Sequence, residues 1–266
     1  MATPPRKPRR APDPRLFHVD LHSYGEVSRS RSEVYHPATV HELRVLLAGL
    51  SASGERRLTF RAGGCSLDAQ SLNDDVVLFL DRLDDIVVHD DPDAPTVTVG
   101  AGARWGDIAR ALESVGLVPF VAVSTSRATA GGTASSDCIS RFSSSIGKES
   151  RFIREVRVLT LDGALHDVSR DSPSAADRAL FHAVIGGFGY LGVIVRLTYA
   201  VWRPPAPGFP RTPLRVSTLV KKCSDLRSFV RPLAEHAPRP KARAGRLGAN
   251  TTHALHDIAC GFFERA

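Results

Sequence analysis

Hydrophobic residues between positions 17 and 201 recur with two periods, one typical of helices and one typical of strands. The first helix is predicted from Thr39 to Leu50, because Thr39 and Glu42 have capping-box spacing and the apolar residues behind them share one helical face. Two further helices are predicted over 105–115 and 174–185, and glycines directly after each of them indicate where it ends.

Short apolar runs between these helices predict β-strands. The predicted strands are 58–60, 76–80, 86–88, 96–99, 156–161, 165–168 and 193–201. Asp162-Gly163 joins two of them with a dipeptide typical of tight hairpins, and the turn-rich stretch 90–95 joins another pair. Because hairpins are mixed with helical crossovers, we predict an α+β fold rather than a single doubly wound sheet.

Composition and charge exclude several classes of protein. The 266 residues are 42% hydrophobic and 24% charged, which is typical of a globular chain and not of a disordered one. The net charge of +7 comes from the ends, since residues 1–15 sum to +4, residues 221–266 to +5 and the remainder to −2. The first residues lack the apolar core of a secretory signal, and no apolar run is long enough for a transmembrane segment. We therefore expect a soluble, cytoplasmic protein that does not bind nucleic acid, with a basic interaction protein acting through its ends as a lower-ranked alternative.

Three familiar motifs fail on spacing or context. The glycines of 100–106 follow a strand and precede a helix, but the third glycine falls one place late for a dinucleotide fingerprint. Gly147-Lys148-Glu149 is not a phosphate loop, because Glu149 stands where Ser or Thr would hold magnesium. His253 and His256 form a close histidine pair, and no third ligand can be named for them. We predict no metal site.

Two glycine-centred loops remain, one within 61–70 and one within 129–137. Glycine lets the backbone approach a ligand closely, and successive free N–H groups form a concave anion site without a lysine. Either loop by itself is better explained as a tight turn. Two such loops, with Gly186-Gly187 further along the chain, favour a bulky pyrophosphate-bearing ligand held at several places.

Five stretches carry a resemblance to a known family. They are HPATVHELRVLL, RAGGCSLDAQSLNDDVVLFLDRLDDI, VTVGAGARWGDIARALESVGLVP, TAGGTASSDCISRFSSSIGKESRFIREVRVLTLDG and FHAVIGGFGYLGVIVRLTY. In this order they resemble the PCMH-type FAD-binding oxidoreductases of the vanillyl-alcohol-oxidase family, over residues 35–200. The second loop is most similar to the decaprenylphosphoryl-ribose oxidase and sugar-lactone oxidase branch.

The resemblance implies FAD held between two α+β subdomains. The cofactor-binding residues that it implies are Arg61, Ala62, Gly63, Gly64, Cys65, Ser66, Thr129, Ala130, Gly131, Gly132, Thr133, Ser136, Gly192, Val193 and Ile194. The implied reaction moves a hydride to flavin N5 from an alcohol carbon of a sugar, a sugar lactone or a polyprenyl-phosphoryl sugar. No catalytic side chain is assigned, since the matched part of the family contributes binding groups.

The chain departs from the family pattern at two places within the match. Cys65 stands where many members carry a histidine bonded covalently to the flavin, so we expect non-covalent FAD. Ile139 and Ser140 align with a His-Gly pair of the most similar branch, which leaves no imidazole there to orient substrate or move a proton.

The resemblance also predicts the domain organisation. Residues 1–15 are expected to form a basic Pro/Arg-rich tail, 16–204 the FAD-binding domain, and 205–266 the truncated start of a substrate or cap domain. The first-ranked interpretation is an FAD-dependent oxidoreductase acting on CH–OH donors. The alternative is a non-catalytic FAD-binding fragment that lacks its substrate domain. The oligomeric state is not predicted.

Overall fold

Two β-sheets organise the part of the chain that the computed structural model describes, residues 16–121, 123–140 and 143–203. The predicted tail (1–15), the predicted start of the cap domain (205–266) and the pair His253 and His256 lie outside these ranges. The helices are Val40–Ala52 (α1), Trp105–Glu113 (α2), Ala130–Ser135 (α3), Ser143–Ile146 (α4) and Ala175–Val184 (α5). The strands are Leu16–His22 (β1), Arg29–Tyr35 (β2), Leu58–Arg61 (β3), Val76–Phe79 (β4), Ile86–His89 (β5), Thr96–Gly100 (β6), Val118–Pro119 (β7), Ile153–Leu159 (β8), Leu165–Ser169 (β9) and Val193–Trp202 (β10).

The first sheet has four strands in the order β1-β2-β4-β3. Strands β2, β4 and β3 run parallel, and β1 is antiparallel to β2 at the edge. Helix α1 lies between β2 and β3 in the chain, as a connection between parallel strands requires. It buries Leu43, Leu47 and Leu50 in the same apolar cluster as Val76 and Leu78 of β4.

The second sheet is antiparallel, in the order β5-β6-β10-β8-β9 with β7 paired to the end of β10. The turn between β8 and β9 contains Gly163 at φ +82°, a conformation that glycine adopts without strain. The apolar core of the second sheet includes residues from α2 and α5, among them Ile108, Leu112 and Phe181.

The two sheets share apolar packing. Leu159 of β8 and Val193 and Val195 of β10 belong to the cluster that also holds Leu43 of α1 and Val76 of β4. Burial of these side chains is the main contribution that joins the sheets.

The predicted α+β fold is confirmed, and so are the three predicted helices, with small differences at their ends. One prediction is wrong. The sequence predicts a loop over 129–137, but residues Ala130–Ser135 form helix α3. Glycine and threonine are poor helix formers, and tertiary contacts overcome that preference here. Backbone N–H groups of Ala130 and Gly131 donate to Ala103 O and Ala101 O, each at 2.9 Å.

Candidate cofactor site

A cavity of about 280 Å³, partly open to solvent, is lined by the loop after β3, helix α3 and the start of β10. Every residue of the predicted cofactor-binding set except Ala130 lines it. Ala130 is fully buried, and its carbonyl oxygen lies within hydrogen-bond distance of Thr133 Oγ1, at 3.1 Å. The structure therefore brings three segments distant in sequence to one cavity, while Ala130 packs behind the wall.

The loop 62–66 presents its backbone to this cavity. A Cβ atom at Gly63 would lie 2.8 Å from the carbonyl oxygen of Arg127, so this loop can touch the segment before α3 only with glycine there. Gly64 adopts φ +63°, which also favours glycine. The N–H groups of residues 62–66 donate to no acceptor among the described residues. A run of free N–H donors on a concave backbone suits an anionic group.

Arg61 places a positive charge at the same wall. Its Nη1 donates to Ser71 Oγ at 2.9 Å and its Nη2 to the carbonyl oxygen of His22 at 2.8 Å. Burial lowers the pKa of the Arg61 guanidinium, which stays protonated at neutral pH. Since no carboxylate of the described residues forms an ion pair with it, the cavity carries an uncompensated cation beside the free N–H groups.

Thr129 contributes a hydroxyl without a partner. The residue is 3% exposed, precedes α3, and makes no side-chain capping bond. Its Oγ1 is buried and has no hydrogen-bond partner among the described residues. Buried hydroxyls are rarely left unsatisfied in proteins, so this atom indicates a polar ligand group in the cavity.

Thr133 connects the cavity wall to a buried hydrogen-bond network. Trp105 Nε1 donates to Thr133 Oγ1 at 2.9 Å. The hydroxyls of Thr133 and Tyr199 both lie within hydrogen-bond distance of Glu149 Oε1, at 2.9 and 2.6 Å. Burial raises the pKa of Glu149 to about 7, against the smaller effect of these hydroxyl hydrogen bonds, which lower it.

Glu149 and part of the cavity lining are not predictable from the local sequence pattern. In the sequence, Glu149 is notable only because it stands where a phosphate loop would need Ser or Thr, and nothing in the local pattern indicates that its carboxyl group is buried. Phe188 and Gly189 were visible as a glycine-rich break, without an assigned role. The lining residues outside the predicted set are Phe60, Gln70, Ser71, Leu80, Val123, Thr125, Ala128, Ser135, Cys138, Phe188 and Gly189.

Two cysteines line the cavity in different environments. Cys65 is partly buried, and its Sγ lies 3.5 Å from the carbonyl oxygen of Gly63. Burial, with smaller effects from Glu149 and Asp137, raises the pKa of Cys138 to about 11. Cys138 is therefore a neutral thiol near pH 7, and it is a poor nucleophile.

Residues 32–169, just over half of the chain, match the family model described as an FAD binding domain. The chain belongs to this family, and FAD is its cofactor. The free N–H groups, the guanidinium without a carboxylate partner among the described residues, and the Thr129 hydroxyl fit a ligand that carries a pyrophosphate and further polar groups.

Several curated relatives are similar to this chain over part of their length. Cytokinin dehydrogenase 7 of Oryza sativa subsp. japonica is 35% identical over 114 residues, which are 43% of this chain and 21% of that protein. An uncharacterized oxidoreductase, ORF5 in the fasciation locus of Rhodococcoides fascians, is 32% identical over 163 residues, 61% of this chain and 35% of that protein. Alditol oxidase of a Streptomyces species is 31% identical over 183 residues, 65% of this chain and 40% of that protein.

This chain thus spans between about a fifth and two-fifths of the length of these relatives. None of the helices in the described ranges is both long enough and apolar enough to cross a bilayer.

Proposed function

We propose that this chain is the FAD-binding part of an oxidoreductase and that the cavity between the loop 62–66, α3 and the start of β10 holds the FAD. The observation that carries the proposal is that polar groups without hydrogen-bond partners among the described residues lie together around one cavity, beside a partly buried cation. The backbone N–H groups of residues 62–66 and the Thr129 hydroxyl have no hydrogen-bond partner among the described residues. The Arg61 guanidinium beside them donates to Ser71 and His22 but forms no ion pair with a described carboxylate.

Each segment has a distinct role in this proposal. The N–H groups of residues 62–66 bind the pyrophosphate, and Arg61 offsets its charge. Thr129 and Ser136 line the flavin and phosphate side, and the backbone of 192–194 contacts an edge of the cofactor. The domain that performs this binding extends over residues 16–204, as the sequence predicts.

FAD, when bound, supplies the centre that accepts a hydride. The residues of this chain hold and orient the cofactor and keep water from one side of it, since Leu80, Val123 and Ile194 are apolar parts of the wall. The proposed donor is the alcohol carbon of a sugar, a sugar lactone or a polyprenyl-phosphoryl sugar. Its support is the resemblance of the second loop to the decaprenylphosphoryl-ribose oxidase and sugar-lactone oxidase branch, together with the similarity to an alditol oxidase.

Three further parts of the proposal follow from the sequence. The flavin is bound non-covalently, because Cys65 replaces the histidine of the covalent members. The partner is a small-molecule alcohol or sugar, and the location is cytoplasmic.

The test is an FAD titration of the full chain, followed by desalting and a visible absorbance spectrum. We expect retained flavin that acid precipitation of the protein releases into the supernatant. Arg61→Gln should weaken FAD binding by about tenfold, as the loss of one charge-assisted contact predicts. Arg44→Gln, on the exposed face of α1, is the matched control and should leave affinity unchanged.

Candidate substrates are then added to the flavin-loaded protein without oxygen. Bleaching of the flavin by a polyol, lactone or polyprenyl-phosphoryl sugar supports the proposed reaction. Bound flavin that none of them reduces supports the alternative of FAD binding without catalysis, and a protein that retains no flavin contradicts the proposed site.

A further inference from the structure

Glu149 is the one charged residue in the buried class among the described residues, with 1% of its surface exposed. It opens the 3-10 turn Glu149–Arg151, and its backbone N–H donates to the carbonyl oxygen of Cys138 at 3.0 Å. No Lys, Arg or His of the described residues forms an ion pair with its carboxyl group. A carboxyl group in such a place needs hydrogen bonds to compensate for lost hydration.

The hydrogen bonds reach only one of its two oxygens. Both hydroxyls of the network, on Thr133 and Tyr199, meet Oε1. Oε2 is buried without a partner among the described residues. Glu149 also lines a second cavity of about 10 Å³, together with Trp105 and Tyr199, and this volume accommodates one water molecule at most. An ionised carboxylate would leave charge on an unsatisfied oxygen, whereas a protonated one would not.

Among the charged and titratable groups around Glu149, its own carboxyl group is the one that changes charge near neutral pH. Tyr199 of β10 and Cys138 both have pKa values raised by burial, so they remain neutral. Asp137, after α3, raises the pKa of Glu149 by its negative charge and is itself paired with Lys148 at 3.5 Å. Arg151, in the same turn, donates to the carbonyl oxygen of Ile146.

We propose that Glu149 is a positioning residue of the cofactor cavity, which holds Thr133 in the cavity wall and takes up one proton from solvent when FAD binds. Thr133 lines the cavity and contacts Glu149 directly, so a negative ligand beside Thr133 disfavours the carboxylate. The carboxylate becomes a carboxylic acid as the anionic cofactor enters. This inference rests on the proposed placement of FAD in the cavity.

The sign of the coupling follows from proton linkage. Below about pH 7 Glu149 already holds its proton, and binding requires no uptake. Above that pH the proton must be taken from solvent, so the affinity for FAD falls as pH rises. For one linked proton the dissociation constant increases by up to about tenfold per pH unit.

The experiment is an FAD titration of the full chain, followed by flavin fluorescence, from about pH 6 to about pH 8.5 at constant ionic strength. The test variant is Glu149→Gln, which keeps the shape of the side chain and removes its titration. The matched control is Glu155→Gln, which removes an exposed carboxylate of β8. We expect the FAD affinity of the wild type and of Glu155→Gln to fall by at least about threefold from the low to the high end of this pH range. The FAD affinity of Glu149→Gln should not change with pH.

A second variant separates proton coupling from a purely structural role. The Tyr199 hydroxyl stabilises the ionised carboxylate, so Tyr199→Phe should move the midpoint of the pH profile to higher pH. A purely structural role predicts the same loss of affinity at every pH. This midpoint also decides the question if Glu149→Gln does not fold.

The outcomes distinguish the two proposals. FAD binding that is independent of pH in the wild type, or a Glu149→Gln protein that keeps the wild-type pH dependence, overturns the coupling and leaves the proposed function intact. A wild-type chain that binds no FAD at any pH overturns both.

Discussion

The absence of a side chain at Gly131 sets how closely α3 approaches the segment after β6. A Cβ atom there would lie 2.6 Å from Ala101 Cβ and 3.0 Å from Ala101 O. Ala101 is fully buried and belongs to the cluster that joins the two sheets, so it has little room to move. Since α3 forms one wall of the cavity, the contact between residues 101 and 131 fixes the position of that wall.

Gly131→Ala should therefore destabilise the protein by about 1–3 kcal/mol, the range observed for overpacked cores, and should weaken FAD binding. Gly49→Ala is the matched control, because Gly49 is exposed within α1 and a Cβ there would meet nothing within 4 Å. That change should stabilise the protein by about 0.5–1 kcal/mol through helix propensity. Urea unfolding of both variants measures the difference, and equal effects would contradict the role given to the contact.

Glu149 should also make stability depend on pH. Its pKa is raised in the folded protein from 4.5 to about 7, so the folded state holds the proton more tightly than the unfolded state. This tighter proton binding stabilises the folded state fully below about pH 4.5, and the stabilisation is lost as pH rises through about 7. The free energy of unfolding should fall by on the order of 3 kcal/mol over this range.

Glu149→Gln should remove this pH-dependent loss, so its stability relative to the wild type should increase between about pH 5 and about pH 8. Denaturant unfolding of the FAD-free protein at several pH values measures the trend. Glu155→Gln should follow the wild-type profile, and a Glu149→Gln protein that also follows it would contradict the buried titration.

At the scale of single elements, α1 shows how a local pattern determines a helix. Thr39 Oγ1 accepts a hydrogen bond from the N–H of Glu42 at 3.1 Å, and Glu42 Oε2 accepts one from the N–H of Ala38 at 2.7 Å. These bonds satisfy N–H groups that would otherwise have no partner at the start of the helix.

Thr39→Ala should destabilise the protein by about 1 kcal/mol, the typical cost of a lost N-cap. Thr39→Ser keeps the acceptor oxygen and should change stability by much less. Chemical denaturation of the two variants tests the cap, and an equal loss in both would indicate that the methyl group of Thr39 matters instead.

Two elements that the sequence does not predict, β2 and α3, share a physical cause. Strand β2 turns Ser30, Ser32 and Val34 inward, so two of its three buried positions are polar and the expected apolar alternation is absent. The Ser32 hydroxyl is satisfied by the carbonyl oxygen of Asn73 at 2.6 Å, a residue distant in sequence. Helix α3 likewise depends on distant acceptors, in Ala101 and Ala103. Local periodicity predicts α1, α2 and α5, but it contains no information on such partners.

At the scale of the whole molecule, the cavity also combines features that the sequence predicts with features that arise only from tertiary packing. Its glycine-rich segments were identifiable from composition and from a family resemblance, and their residues do meet in one place. The buried network behind α3 was not identifiable, because Trp105, Glu149 and Tyr199 become neighbours only when α2, the turn after α4 and β10 pack together. The cavity therefore depends on the packing between the two sheets as much as on its own loops.

Leu159 tests that dependence at the scale of the whole molecule. It lies on β8 of the second sheet, is fully buried, and packs in the cluster that contains Leu43 of α1 and Val76 of β4. Leu159→Ala should lower stability by about 2–5 kcal/mol and should leave a single unfolding transition, because both sheets lose the same contact. Its cross-strand neighbour Leu165 is 39% exposed, and Leu165→Ala should cost less than about 1 kcal/mol.

Unfolding of the wild type and of the same two variants in the presence of FAD provides a second test, because a ligand that binds the folded state stabilises it. FAD at a hundredfold excess over its dissociation constant should stabilise the wild type by about 2.7 kcal/mol. Because the proposed site takes residues 62–66, after β3 of the first sheet, and residues 192–194, at the start of β10 of the second, FAD should stabilise both sheets together. The Leu159→Ala variant should then keep one unfolding transition. Two unfolding transitions, with FAD raising the midpoint of only one of them, would show that the cofactor is held beside one sheet and not between the two.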